Sequence, residues 1–352
     1  MIPAIQARDL YTKALIAVYK ERKRPSSFLR SFFRTEERST KYLSIAVRRG
    51  TELIAVDVEL GASGNRNSAS KNTEKIFKPP FYKEWFDATD LDLYDVIMGA
   101  GMVDEVQIAE FVRALSEEAG MLQDKIERAY EKQCAEVFET GIVTLNKGIN
   151  INFGRKAGSL IDNSVSAPWT NDANDPNISL AAAGKFIVEE GKSGGAVFNV
   201  ICGGTTWSDY LNNAKVKSRA DVRRYDIMVV PMPQRNSVGA SLLGEVAIDN
   251  YKYIFWGYPD IYETIVNGVK TRTPYMKANK VVVLPEIPSD FVLGFAAVPQ
   301  LMAIGVDPRG AYKVTEFRDE ENAVHKIIVR SRGVAVPVSI DQIVTITTKP
   351  AV

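Results

Sequence analysis

The chain has 352 residues, with 44 Lys plus Arg against 43 Asp plus Glu, one His and a formal net charge of +1. That length allows two or three domain-sized units and a sizeable core. The near-neutral balance argues against a dedicated nucleic-acid binder. Two cysteines, Cys134 and Cys202, are too few for a disulfide framework, and no apolar run reaches the ~20 residues of a membrane span.

The balance is global and not local. Residues 1–49 hold twelve basic and four acidic side chains, a net of +8, and 103–139 hold four basic and ten acidic, a net of −6. Segments of opposite sign can pair, within a subunit or between subunits. Two solvated faces are the plainer alternative. Residues 4–20 suit a short amphipathic helix with Leu10, Ala14, Ala17 and Val18 on one side, ended by the cluster Lys20–Arg24 and Pro25. Arg8, Asp9 and Lys13 break the apolar patches there, so no signal peptide is expected, and a soluble, reducing compartment is.

Phe28-Leu29-Arg30-Ser31-Phe32-Phe33 is too apolar for a free tail and must dock onto something. Tyr42–Arg48 alternates as a strand does, and Leu53–Val58 reads as another. Residues 61–75 contain no large apolar side chain and read as an exposed loop or hairpin tip. Ile76–Phe86 is aromatic, with Phe77, Phe81, Tyr82, Trp85 and Phe86. A two-stranded excursion of this kind is marginal alone in water, which suits cover by a neighbouring molecule.

Val103–Glu139 carries Ile108, Val112, Leu115, Ala119, Leu122, Ile126 and Ala129 in alternating steps of four and three, one apolar stripe along a helix. Asp104 and Glu105 load its first turn, and Gly141 follows its end. Such a helix spans roughly 55 Å, more than the width of a small domain. Beyond it, 142–168 reads as short strands and turns, and Thr170–Ile178 as a turn-rich connector and domain boundary. Ala181–Glu190, Thr206–Asn213 and Ser218–Tyr225 read as helices. Val197–Cys202, Tyr253–Trp256, Ile261–Val266, Val269–Thr273 and Val281–Leu284 read as strands, with a hairpin turn at Asn267-Gly268. Lys326–Ser331 and an alternating run from Val334 to Ile346 close the chain as strands.

The motifs for chemistry are nearly absent. His325 has no partner cluster in sequence. Gly191, Gly194, Gly195, Gly203 and Gly204 fit neither phosphate-binding spacing, and Gly203-Gly204 reads as a tight turn. Asp172–Pro176 begins like a calcium loop, but Pro176 occupies its fifth position and Asn177 the place of its obligatory glycine. Both cysteines read as small buried hydrophobes. No catalytic residue, cofactor or metal is expected.

The chain resembles the lambda-type major capsid proteins of tailed bacteriophages. The resemblance rests on Phe28–Phe33, on Asn199-Val200-Ile201 through Trp207-Ser208-Asp209-Tyr210-Leu211, and on Tyr262–Leu284 with Val266-Asn267-Gly268-Val269-Lys270. It implies an α+β, Hong Kong 97-like phage capsid fold. Its parts would be an N-terminal arm (1–40), an extended β-hairpin loop (41–86), a peripheral domain (87–168) with a spine helix over 103–139, an axial domain (169–298) and peripheral return strands (299–352). It implies a non-enzymatic subunit that assembles with itself into pentamers and hexamers of an icosahedral head around phage DNA. Assembly in the host cytoplasm, with a scaffold protein, a portal and a decoration protein, goes with it. Inter-subunit contacts are expected at Arg22, Lys23, Arg24, Phe28, Leu29, Phe32, Phe33, Lys71, Phe77, Phe81 and Trp85. Some relatives cross-link a loop Lys to an Asn with the help of a buried Glu; Lys71, Lys75 and Lys78 lie on or beside the loop, but no matching Asn and Glu can be assigned. An encapsulin-like compartment and a soluble enzyme with an unrecognised site are the rival readings.

Overall fold

The computed structural model describes residues 27–48, 72–89, 105–145, 150–220, 228–229, 234–235, 239–266, 268–287, 291–298, 309–319 and 324–350. The expected helix over 4–20, the cluster Arg22-Lys23-Arg24, the strand Leu53–Val58 and the loop through Lys71 lie outside these residues, as do the side chains of 105–115, Lys75 and His325.

The long helix, α1, runs from Glu105 to Thr140, 36 residues or about 54 Å. Gly141 ends it at φ +71°, a left-handed conformation that favours glycine. The sequence shows one apolar stripe, but the C-terminal half of α1 is buried on more than that stripe. Ala119, Ile126, Tyr130, Cys134, Val137 and Phe138 are buried, and so are Gln123, Glu127, Glu131, Gln133 and Glu139. The helix therefore lies between elements instead of on a surface.

The other helices are α2 (Pro176–Glu189), α3 (Thr206–Asn212) and α4 (Ala214–Ala220). Asp175 caps α2 by accepting the Asn177 N–H at 3.0 Å, and Asp172 accepts the Ala214 N–H at 2.9 Å. The calcium-like run is thus a pair of helix starts. α4 begins four residues before the expected Ser218, and 221–225 lies outside the described residues.

The strands, in chain order, begin with β1 (Arg34–Glu37), β2 (Leu43–Arg48), β3 (Asn72–Phe77), β4 (Tyr82–Thr89), β5 (Ile142–Thr144), β6 (Asn150–Asn152) and β7 (Leu160–Asp162). The middle of the chain gives β8 (Val197–Cys202), β9 (Met228–Val229), β10 (Gln234–Arg235), β11 (Ser241–Ile248), β12 (Tyr251–Gly257), β13 (Ile261–Val266), β14 (Val269–Pro274) and β15 (Lys280–Pro285). The last five are β16 (Phe291–Phe295), β17 (Lys313–Asp319), β18 (Val324–Ser331), β19 (Gly333–Pro337) and β20 (Val344–Thr347).

The largest sheet has the order β10-β11-β12-β8-β15-β20-β7, with β9 also on β11. It is buried on both faces, as its near-continuous apolar strands require. Val281 and Val283 face a core with Trp169, Leu180, Tyr210 and Phe255, whereas Val282, Leu284 and Ile201 face the core of α1. The alternation is the period of two that a strand imposes. Gly203, just after β8, packs against the Lys277 carbonyl so closely that a Cβ would lie 2.0 Å from it. The glycine pair is the tight turn expected.

Three differences from the sequence reading concern pairing. Val334–Ile346 is two strands in two sheets, because a 3₁₀ turn at Ile340–Gln342 separates β19 from β20. β20 joins the largest sheet beside β15, and β19 joins β16 and β1. Asn72–Lys75 is strand and not loop, paired with Ile45–Arg48. The two-stranded excursion ends at Phe77, and Tyr82–Thr89 instead pairs with β18 in the sheet β17-β18-β4.

Arg155 ties the end of α1 to the β20–β7 edge of the largest sheet. It donates to the carbonyls of Phe138 (2.9 Å), Ser159 (2.9 Å) and Ile343 (2.7 Å), to Thr345 Oγ1 (2.8 Å) and to Ser159 Oγ (3.1 Å). Burial pulls its pKa down to about 10, yet the side chain stays charged at neutral pH. Arg155→Ala orphans buried acceptors and should lower the unfolding free energy of the unassembled chain by about 2–4 kcal/mol, read by urea denaturation.

Candidate assembly surfaces

The apolar turn Leu29–Phe32 docks onto the chain's own core. Leu29 is fully buried, Phe28 packs at 5.7 Å from Trp256 and 5.6 Å from Tyr258, and Phe33 lies 5.3 Å from Phe138 and 5.4 Å from Phe291. Phe32 is half-buried beside Phe28 and Phe138. Phe28, Leu29 and Phe33 are thus packed within the chain itself. Their apolar area is removed from water by α1, β12 and β16.

A carboxylate on α1 fixes this turn. Glu131, 1% exposed, accepts the Leu29 N–H at 2.8 Å, the Arg30 N–H at 3.1 Å and the Tyr258 hydroxyl at 2.8 Å. Arg30 also reaches Glu127 at 3.5 Å. The described end of the basic segment thus meets the acidic helix within one chain. Burial pushes the Glu131 carboxyl from 4.5 up to about 7, against the pull of those three donors and the Arg30 charge. Reading acids on a helix as solvated hid this residue. Nothing in the local sequence marks it, because its partners lie 101 to 127 residues away.

The ribbon β2–β3 is anchored by its base. Leu43 and Phe77 face each other across it; Leu43 is buried against Gly294, and Phe77 lies 5.3 Å from Phe153. Further out, Ile76 is 67% exposed. The second ribbon, β13–β14, leaves Ile261, Ile265 and Val269 exposed.

The sheet β17-β18-β4 presents an outer face built in rows. Trp85 stands opposite Ile328 and then Thr315. Lys83 stands opposite Arg330 and then Lys313, and Asp87 opposite Lys326 and then Phe317. Trp85 is 51% exposed, Phe317 55% and Phe81 47%. Lys326 lies 5.0 Å over the Trp85 ring and 3.6 Å from Asp87. Thr315 Oγ1 is buried without a hydrogen-bond partner. Three basic side chains side by side repel one another across the strands. The face is aromatic and cationic together.

A cleft of about 540 Å³ lies between α1 and the base of β13–β14, lined by Lys132, Glu136, Glu139, Tyr262, Lys277 and Lys349 among others. Its lysines pair with carboxylates: Lys132 with Glu136, Lys277 with Glu139, and Lys349 with Asp209. No group of three or more metal-ligating side chains occurs among the described residues. Cys134 and Cys202 are buried thiols whose pKa burial raises, that of Cys202 to about 12.

A family model described as phage major capsid protein E matches residues 11–348. No curated protein matches the chain. Among solved structures it is similar to the putative capsid protein of a prophage of E. coli CFT073, at 15% identity and TM-score 0.64, covering 96% of this chain and 98% of that one. It is also similar to a phage-related protein from Bordetella bronchiseptica RB50, at 11% identity and TM-score 0.54, covering 95% and 96%. At such identities the likeness shows a common fold, that of the Hong Kong 97-like capsid proteins.

The two classes of apolar side chain predict different behaviour in the unassembled chain. Leu29→Ala should cost about 2–5 kcal/mol, whereas Trp85→Ser should stay within about 0.5 kcal/mol. Urea denaturation of both variants measures the contrast.

Proposed function

The chain belongs to the phage major capsid protein E family and is a shell-forming structural subunit; on that premise we propose that its copies close into an icosahedral head of pentamers and hexamers around phage DNA. Assembly takes place in the host cytoplasm on a scaffold, with a portal, and a decoration protein joins the finished shell. The arm (1–40), the ribbon, the peripheral body around α1 and the axial core around Trp169 act as the parts of one tile. The return strands split between the last two. DNA entry drives expansion, with hinges near the ribbon and the long helix.

The observation that carries this reading is the outer face of β17-β18-β4. Exposed Trp85, Phe317 and Phe81 amid Lys83, Arg330 and Lys313 are an unusual surface for a solitary protein. A second copy covers it, by an apolar segment that buries the exposed rings. The two ribbons point the same way, since a two-stranded ribbon is marginal alone. Of the contacts expected from sequence, Phe81 and Trp85 keep this role. Arg22, Lys23, Arg24 and Lys71 are assigned to it from charge and position in the sequence alone.

Trp85→Glu combined with Phe317→Glu should leave the melting curve of the unassembled chain unchanged and abolish particles in electron micrographs. Particles at the normal yield would overturn the assignment. Reversing Arg22, Lys23 and Arg24 to Glu should also reduce assembly, read by size-exclusion chromatography. Packaged DNA in purified particles is expected; a protein cargo instead would mean an encapsulin-like compartment.

A further inference from the structure

We propose that the outer stripe of the long helix α1 is a two-fold contact, at which two copies of this chain lie antiparallel about Met121. From Ser116 to Thr140 the exposed side chains of α1 are Glu117, Glu118, Met121, Lys125 and Arg128, and the others are buried or half-buried. The last four of the five step by three, four and three, so they form one narrow seam along the helix. Met121, 48% exposed, stands in its middle.

The seam is ordered by charge. Both acids precede Met121 and both bases follow it. Glu117 lies four residues before Met121 and Lys125 four after, about one turn either way. A parallel copy in register sets acid against acid and base against base. A copy turned end for end about Met121 sets the acids of each chain against the bases of the other, and does so twice. The two methionines then meet at the axis, an apolar centre with charged flanks. A wholly acidic or wholly basic partner is repelled by one half of the seam. The order of charge therefore selects an occupant with the inverse order, and this helix supplies it.

Lys125 is bonded to Glu84 of β4 at 2.6 Å, but its side chain is 64% exposed and an ammonium has three donors. The same bond sets the seam beside β4, an edge strand of the sheet whose outer face is the subunit contact proposed above. Rings of five or six close through head-to-tail contacts between two different patches, whereas a two-fold between rings needs one self-complementary patch. The seam is such a patch. Its place between rings rests on the shell reading; the contact itself needs only two copies. From Glu117 to Arg128 it is about 17 Å long, a small contact that a shell repeats many times.

Disulfide trapping in the full chain tests it. Antiparallel helices about 8–10 Å apart bring facing Cα atoms within disulfide reach. Cys134 and Cys202 are the only cysteines and both are buried, so Met121→Cys adds the one accessible thiol. With oxidised glutathione as oxidant, Met121→Cys chains should link into dimers about tenfold faster than Lys185→Cys chains, whose thiol is on the exposed side of α2. In the Met121→Cys background, Glu117→Lys and Lys125→Glu should each slow linking about tenfold. The two reversals together restore opposite charges across the two-fold and should return most of the rate. Linking no faster than in Lys185→Cys, or a double reversal no faster than either single one, would overturn the contact. Normal particles of Met121→Cys chains that do not link in pairs would overturn it too, and leave the shell reading standing. Linked dimers of a chain that never forms particles would support the contact and count against the shell reading alone.

Discussion

One helix must satisfy the hydrogen bonds of everything packed around it. α1 has sheets on more than one side, so the strands and turns that meet it cannot turn to water for their unpaired groups. The sequence answers with polar side chains inside the helix's buried surface. Tyr130 accepts the Gly333 N–H and Gln133 the Ala335 N–H along β19. Gln133 also donates to the Tyr82 hydroxyl, Glu139 accepts the Lys277 N–H, and Glu131 holds the arm turn. An edge strand is a liability where its backbone is bare; here the helix itself covers the edge.

That arrangement explains which parts of the molecule were legible in the sequence. α1 was, because Asp104, Glu105 and Gly141 bracket a long periodic stripe. Val197–Cys202 and Val281–Leu284 were, because short apolar runs rich in Val and bounded by turn residues fit buried strands better than helices. The hairpin at Ile261–Val266 and Val269–Pro274 was, because turn chemistry is local. What failed was distance. Phe28–Phe33 could be seen to need a partner, but its apolarity does not say whether that partner is another subunit or Phe138 and Phe291 of the same chain. The run Val334–Ile346 could be seen as strand, but not its break at Ile340–Gln342, nor that its last part pairs with β15 some sixty residues back. Glu131 could not be recognised at all, since an acid on a helix is ordinarily solvated and only the folded core turns it into an acceptor for the arm.

The described surfaces fall into two populations with different physical origins. One is the self-sufficient interior, in which Leu29, Leu43 and Phe33 are held as tightly as any core residue. The other is the aromatic and cationic face of β17-β18-β4 together with the apolar flanks of two ribbons, whose side chains stand exposed among the described residues. A shell subunit benefits from this separation. Its interior can fold and persist as a unit, and the energy of assembly comes from surfaces whose burial does not require that unit to unfold.

The three-stranded sheet carries a further consequence. β1, close to the start of the chain, runs parallel to β16, and β16 is completed by β19 near the end, with Arg34 beside Val292 and Val292 beside Val336. A ribosome must therefore deliver the chain through Phe295 before Arg34–Glu37 finds its partner strand. During synthesis the emerging N-terminal region has no finished body on which to settle. Each tile is thus ready to join others only after Gly333–Pro337 has been translated, and a product truncated before it is left without the seam that joins β1, β16 and β19.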